Sequence, residues 1–227
     1  TLLSSDGLMI RRRSQITMGR LTNTSIIVTG AASGIGRGFA EGFAKEGAKV
    51  GVFDLNDNLA NLVANQINSD GGAAIALVGN VTERQQVRNQ FEKFVAWAGS
   101  LDVLFNNAGF NKPMPFLEVT EENWDSILKV NGWGVLLGIQ EGARLMIPNR
   151  RGKIINTASM AGRQGFPTFA PYCASKFAVN ALTQAGAKEL SKYNITCNSF
   201  SPGIVDTPLW VGLDKDLLEM GETQRPG

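Results

Sequence analysis

A short apolar strand that runs directly into a glycine-rich turn limits the folds open to this chain more than any other feature. Ser25-Ile-Ile-Val28 has the composition of a buried strand, and Thr29-Gly-Ala-Ala-Ser-Gly-Ile-Gly36 follows it without a break. Apolar residues then recur at helical spacing as far as Ala44, and Gly47 supplies a stop signal. Strand, glycine turn and helix in this order predict a βα unit whose helix N-terminus binds the phosphates of a nucleotide.

The next predicted strand ends in an acidic residue, as a dinucleotide site requires. Lys49–Phe53 is followed by Asp54, whose carboxylate can accept both ribose hydroxyls of an adenosine. Asp54 has an alternative role as the N-cap of the following helix, although Asn56 and Asp57 can serve there instead. A carboxylate disfavours a 2′-phosphate, and neither position 33 nor position 55 carries a compensating cation. Arg37 lies just past the turn, but we predict NAD rather than NADP as the cofactor.

Strands and helices alternate along the rest of the chain without an internal linker. Further apolar runs suited to a sheet buried on both faces lie at 73–79, 102–105, 153–156 and 195–200. Helical patterns occupy 58–69, 82–98, 124–147 and 172–191. This alternation predicts a single α/β domain, a doubly wound Rossmann-type parallel sheet with helices on both faces. Ligands of such sheets bind at the carboxyl ends of the strands.

Tyr172 and Lys176 form a candidate acid–base pair in a chain that has no histidine. Positions i and i+4 share a helix face, so the ammonium can lie beside the phenol. Two unit charges about 4 Å apart interact by roughly 4 kcal/mol at an effective dielectric near 20. We therefore expect Lys176 to lower the phenol's pKa from about 10 by up to about 3 units. Taken alone, the pair is weak evidence, because such pairs arise by chance and a solvated helix face explains the spacing more readily. The lack of histidine excludes Ser-His-Asp hydrolysis and histidine-bound zinc.

Several further motifs resemble one enzyme family. They are the spacing Thr-Gly-x-x-x-Gly-Ile-Gly from Thr29, then Asn106-Asn-Ala-Gly109, Asn131, Ser159 ahead of Tyr172, and Pro202-Gly203. In this order, from about residue 22 to about residue 210, they resemble the short-chain dehydrogenase/reductase family. The region after the tyrosine is most similar to members acting on polyols, 2,3-butanediol or acetoin. The resemblance implies an NAD-dependent oxidoreductase acting on the CH–OH group of a small molecule.

The resemblance also implies roles for individual residues. Tyr172 is the expected general base and acid, and Lys176 would also hold the nicotinamide ribose. Ser159 would hydrogen-bond the substrate oxygen, and Asn131 would position a water near the lysine. Asn80 stands where relatives often have aspartate. Cofactor contacts are expected from Gly30, Ser33, Gly34, Ile35, Gly36, Asp54, Asn80, Val81, Asn107, Ala108, Gly109, Tyr172, Lys176, Pro202, Gly203, Ile204 and Thr207, and substrate contacts from Ser159, Ala161, Phe166, Phe169, Tyr172 and Trp210.

Two other functions remain open at this stage. The same scaffold serves 3-ketoacyl and 3-hydroxyacyl thioester reductases. A catalytically idle NAD-binding protein that senses redox state through a partner is the second alternative. The complete set of Ser159, Tyr172 and Lys176 argues against an idle site, which needs no acid–base group.

Composition limits the possible partners and location. A net charge of +2 gives no general attraction to nucleic acid or anionic membrane, and no apolar run approaches the roughly 20 residues of a membrane helix. Arg11-Arg-Arg13 is expected to be a solvated tail. Cys173 and Cys197 lack metal-site spacing, so we expect no metal and a reduced pair in the cytoplasm.

The expected organisation is an N-terminal extension over residues 1–20, possessing no counterpart in the family pattern, and one catalytic domain over 21–227. The substrate lid is expected at about 205–227. The family pattern continues past the lid with a helix and a final strand, so we expect that a C-terminal portion is missing from the sequence, which stops at Gly227. By resemblance, the protein would be a homodimer or homotetramer.

Overall fold

The computed structural model describes residues 19–223, which build one parallel sheet flanked by helices. The six strands are β1 (Ser25–Thr29), β2 (Lys49–Asp54), β3 (Ala73–Val78), β4 (Val103–Asn106), β5 (Gly152–Thr157) and β6 (Ile195–Phe200). The helices are α1 (Gly34–Lys45), α2 (Asp57–Ser69), α3 (Arg84–Ala98), α4 (Glu121–Leu128), α5 (Val135–Met146), α6 (Ala170–Leu190) and α7 (Pro208–Glu219).

Both faces of the sheet are buried, as the continuous apolar strands predict. Ile27 and Leu104 point to one face, where they pack with side chains of α3, α5 and α6. Ile26 and Val28 point to the other, against α1 and α2. Alternate residues of a strand point to opposite faces, so an all-apolar strand is stable only between two helical layers. The prediction of a doubly wound α/β fold is confirmed.

The order of the strands determines where a ligand can bind. It is β3-β2-β1-β4-β5-β6, and all neighbouring strands are parallel. The chain therefore winds outward from β1 in one direction, returns, and winds from β4 in the other. The carboxyl ends of β1 and β4 diverge at this switch point, where open α/β sheets bind their ligands.

The long helix predicted over 124–147 is wrong in its middle. The chain instead forms α4, a π-helical turn over Lys129–Gly134, and then α5. Such turns are rare and occur frequently at functional sites. This one contains Asn131, whose side chain is completely buried. Other predicted elements differ from the observed ones by only one or two residues at their ends.

Several smaller predictions can be placed on the same structure. Asn56, rather than Asp54, caps α2, because its Oδ1 accepts a hydrogen bond of 3.1 Å from the Leu59 amide. Arg20, assigned to the extension, pairs with Glu46 at the end of α1. The arginine run at 11–13 lies outside the described residues. Between residues 19 and 223, no helix is long and apolar enough to cross a membrane.

Candidate active site

The glycine-rich turn after β1 needs glycine for two different physical reasons. Gly30 and Gly34 have φ values of +63° and +51°, in the left-handed region that side chains with a Cβ rarely adopt. Gly36 is required by space, since a Cβ there would overlap the carbonyl oxygen of Gly30 and lie 2.6 Å from Asn107 Nδ2. The start of α1 is thereby held directly against the turn.

The Asn-Asn-Ala-Gly segment fixes this turn to the end of β4. The amides of Asn107 and Ala108 both donate to Thr29 Oγ1, at 2.9 and 3.0 Å. Asn107 Nδ2 donates to the Thr29 carbonyl at 3.2 Å. Asn106 is buried and donates to Asn156 Oδ1 on the neighbouring strand at 2.9 Å. The asparagines thus hold the switch point in shape.

The donor and acceptor groups at the turn fit an adenine dinucleotide. Ser33 is the N-cap of α1 but forms no side-chain capping bond, and the first turn contains no acidic residue. The helix terminus therefore suits an anionic group. Asp54 accepts one hydrogen bond at each carboxylate oxygen, from the amides of Ala32 and Asn56, both at 3.0 Å. Each oxygen keeps a lone pair for a ribose hydroxyl.

Asn80, Thr207 and Arg37 are candidates for cofactor contact, and each already interacts with another side chain or amide of the protein. Asn80 Oδ1 accepts from the amide and the hydroxyl of Thr82, both at 2.9 Å. Thr207 Oγ1 accepts from the Trp210 amide at 3.3 Å and so caps α7. Arg37 forms an ion pair with Glu41 at 2.7 Å, which directs its guanidinium along α1. Arg37 is not among the described residues that line the cavity.

The first turns of α6 bring the candidate catalytic side chains together. Lys176 is buried, its Nζ donates to the Thr157 carbonyl at 2.8 Å, and it lies 5.5 Å from the Tyr172 ring centroid. Ser159 Oγ accepts from the Ala161 amide at 3.1 Å. This bond orients the serine and leaves its own O–H as a donor.

Burial shifts the pKa of both members of the pair. It raises the pKa of the Tyr172 phenol above its ordinary value, while a hydrogen bond with Ser159 lowers it. Burial also lowers the pKa of Lys176 to about 8. The direction at Tyr172 is opposite to that predicted from the sequence. Removing water disfavours the phenolate and the ammonium alike, because both are the charged forms.

Asn131 connects the catalytic helix to the loop after β4. Its Nδ2 donates to the Phe110 carbonyl at 2.9 Å and to Ser175 Oγ at 3.1 Å, and its Oδ1 accepts from the Phe110 amide at 3.0 Å. Ser175 Oγ in turn donates to the Tyr172 carbonyl at 2.7 Å. With its amide used in this way, Asn131 positions its neighbours from behind the site.

A cavity of about 770 Å³ extends over the carboxyl ends of the strands, from Asp54 to Tyr172. All the residues predicted to bind cofactor or substrate line it, except Gly36. Gly36 packs against Gly30 and Asn107 and is not part of the described lining, so its contact with the cofactor stays a prediction. Asn131 is also absent from the lining. Lining residues that the sequence did not reveal include Leu55, Phe110, Asn111, Val130, Thr157, Met160, Thr168 and Glu222. They belong to no motif, and the folding of segments that are distant in sequence brings them together here.

The buried lysine predicts a pH dependence of stability. Folded Lys176 releases its proton near pH 8, whereas the unfolded chain keeps it up to about 10.5. Between these values the unfolded state binds more protons, so the contribution of Lys176 to the free energy of unfolding rises with pH. The slope is at most about 1.4 kcal/mol per pH unit.

This dependence can be isolated by comparing urea unfolding of the wild type and Lys176→Met over a range of pH. The difference between the two free energies of unfolding should be flat below pH 8 and should change in favour of the wild type above it. Parallel pH profiles across the whole range would show that Lys176 titrates alike in both states.

Comparison with known proteins assigns the chain to a family. The short chain dehydrogenase profile matches residues 24–217. A sorbitol dehydrogenase of Cereibacter sphaeroides is 40% identical over 196 residues, which are 86% of this chain and 75% of that protein. The structure of an NAD⁺-bound xylitol dehydrogenase superposes with a TM-score of 0.79 at 34% identity, covering 81% of this chain and 71% of that one.

A gluconate 5-dehydrogenase of Burkholderia cenocepacia, solved with NADP and tartrate, gives a TM-score of 0.82 at 36% identity, with 86% and 76% covered. Matches of this extent agree with the switch-point cavity and its tyrosine–lysine pair. The chain therefore belongs to the short chain dehydrogenase family and is an oxidoreductase that acts on alcohols.

Proposed function

We propose that this enzyme uses NAD(H) to interconvert a small neutral polyol or vicinal diol and the corresponding ketone. The observation that carries the proposal is the charge of the cavity. Among the described lining residues, Lys176 is the one cationic side chain, and its Nζ is already bonded to Thr157. Asp54 and Glu222 add negative charge. A neutral, hydroxylated substrate suits this lining better than a carboxylate or a phosphate does.

In the proposed mechanism, Tyr172 transfers the hydroxyl proton and Ser159 holds the reacting oxygen. The Ser159 O–H donates toward that oxygen and stabilises the charge that develops on it. Lys176 supplies positive charge behind the phenol. This charge favours the phenolate, which is the form of Tyr172 that accepts the hydroxyl proton. Asn131 and Ser175 keep the start of α6 in register with the loop after β4. The dinucleotide, when bound, supplies or accepts the hydride.

Residues of the switch point would hold the dinucleotide along the cavity. Ser33 and Ile35 at the start of α1 would meet the pyrophosphate, and Asp54 would accept the ribose hydroxyls. The preference for NAD is supported by the Asp54 carboxylate and by the pairing of Arg37 with Glu41. A 2′-phosphate close to Asp54 would be repelled by about 1–4 kcal/mol at about 4 Å.

Replacing Asp54 tests the cofactor preference. Asp54→Asn keeps an acceptor for the Ala32 amide but removes the charge. We expect the ratio of kcat/KM for NADP to that for NAD to rise at least about tenfold, because each 1.4 kcal/mol of removed repulsion is a factor of ten. Asp57→Asn, three residues along at the exposed start of α2, is the matched control and should leave the ratio unchanged. Equal effects of both changes would mean that the preference depends on the overall negative charge of this region and not on a contact with Asp54.

The substrate class is tested by nicotinamide absorbance with NAD or NADP and a panel of compounds. The panel contains sorbitol and xylitol, 2,3-butanediol and acetoin, gluconate, and 3-hydroxyacyl thioesters. Turnover of the polyols or of the diol–hydroxyketone pair with NAD supports the proposal. Turnover confined to thioesters, or to gluconate, would overturn the substrate class. Binding of NAD without turnover of any compound would favour a redox sensor.

A further inference from the structure

One buried side chain in the cavity wall has no partner within the protein. Asn111 is 8% exposed and lines the cavity. Neither its Nδ2 nor its Oδ1 has a hydrogen-bond partner among residues 19–223. Buried amides are nearly always paired, since losing water without gaining a partner is costly. An unpaired amide at a cavity wall therefore indicates a group that binds ligand.

The backbone on both sides of Asn111 is fixed. Phe110 exchanges two hydrogen bonds with the Asn131 side chain, at 2.9 and 3.0 Å. The Lys112 carbonyl accepts from Asn123 Nδ2 at 3.1 Å. The backbone that carries Asn111 is therefore in place before any ligand arrives, which lowers the entropy cost of binding.

Asn111 belongs to the catalytic end of the cavity. Asn131, which holds Phe110, also donates to Ser175 on the helix of Tyr172. Two residues before Asn111, a Cβ on Gly109 would lie 2.9 Å from Asn131 Oδ1 and 3.6 Å from Lys176 Nζ. Asn111 is therefore only two residues from Gly109, whose backbone packs against Asn131 and Lys176.

We propose that Asn111 binds a second oxygen of the substrate, a hydroxyl or carbonyl other than the one that reacts. A primary amide offers both donors and an acceptor, and a hydroxyl pairs with either. A buried site built to hydrogen-bond a hydroxyl rejects the analogue that lacks it. The inference rests on the proposed function and narrows it. Asn111 makes the enzyme selective for diols and polyols over mono-alcohols.

The test is the ratio of kcat/KM for 2,3-butanediol to that for butan-2-ol, measured with NAD in the wild type and in Asn111→Leu. Leucine is similar in size but cannot hydrogen-bond. We expect the ratio to fall at least about tenfold. The melting temperature should stay the same or rise, because an apolar side chain replaces an unpaired amide. Asn111→Ala provides the same comparison if the leucine variant does not fold.

Gln90→Leu is the matched control. Gln90 also has a buried, unpartnered side-chain oxygen, but it lies on α3 and is not part of the cavity lining. The control should keep the wild-type ratio. An unchanged ratio in Asn111→Leu, with or without a lower melting temperature, would overturn the inference and leave the proposed function standing. Failure of the wild type to oxidise any polyol or diol would overturn both.

Discussion

Tyr172→Phe is expected to lower kcat by about 10²- to 10⁴-fold, the range of general acid–base catalysis. The change removes only the phenolic oxygen, which is the atom proposed to carry the substrate proton. The chain has no histidine that could replace it. Tyr172 is the lining residue that hydrogen-bonds to Ser159 and also lies beside Lys176. Single-turnover measurements with NAD and the best substrate of the panel would give the rate of the chemical step.

Binding of NAD separates this effect from damage to the site. One neutral hydrogen bond contributes about 0.5–1.5 kcal/mol, so the dissociation constant of NAD should change by no more than about tenfold. Tyr193→Phe is the matched control, since Tyr193 is the chain's other tyrosine and its ring packs beside Lys192 at the end of α6. Tyr172→Phe with wild-type kcat would contradict the proposed mechanism.

Gly36→Ala is expected to destabilise the protein and to weaken NAD binding. The added Cβ would overlap the Gly30 carbonyl oxygen and crowd Asn107 Nδ2 at 2.6 Å. The overlapping atom is backbone, so it can move only if the turn moves. Overpacking of this kind costs about 1–3 kcal/mol. A displaced turn would also lose its fit to the pyrophosphate, and a loss of 1.4 kcal/mol in binding already corresponds to a factor of ten.

The same helix provides the control for this change. Gly38 is exposed, and a Cβ there would meet nothing within 4 Å. Gly38→Ala should leave NAD binding unchanged and raise the free energy of unfolding by about 0.5–1 kcal/mol, because alanine favours the helix. Urea unfolding and NAD titration of both variants make the comparison. Similar behaviour of the two alanine variants would mean that the close approach at Gly36 is unimportant.

Prediction from the sequence worked well where the signal is local. The alternation of buried strands and amphipathic helices predicts the parallel sheet, and all six strands lie where the apolar runs indicate. The glycine turn, Asp54 and the helix of Tyr172 each follow a strand, so one rule about strand ends predicts that they meet.

Prediction was less successful where the outcome depends on packing. The π-helical turn arises where Asn131 reaches across to Phe110 and Ser175, contacts that are 21 and 44 residues apart in sequence. The direction of the pKa shift of Tyr172 was also predicted wrongly. The spacing of two side chains gives their attraction, but the loss of solvent depends on everything packed around them.

The sequence by itself determined the fold class, the glycine turn and the candidate acid–base pair, because each of these follows from short-range periodicity or from a fixed spacing within one element. Only the tertiary structure decided how these residues are used. It placed Gly36 and Asn131 outside the described lining of the cavity, buried Lys176, and left the Asn111 amide without a partner at the cavity wall. The physical reason is that burial and hydrogen-bond pairing are properties of all the neighbours of a group, and most of those neighbours are distant in sequence.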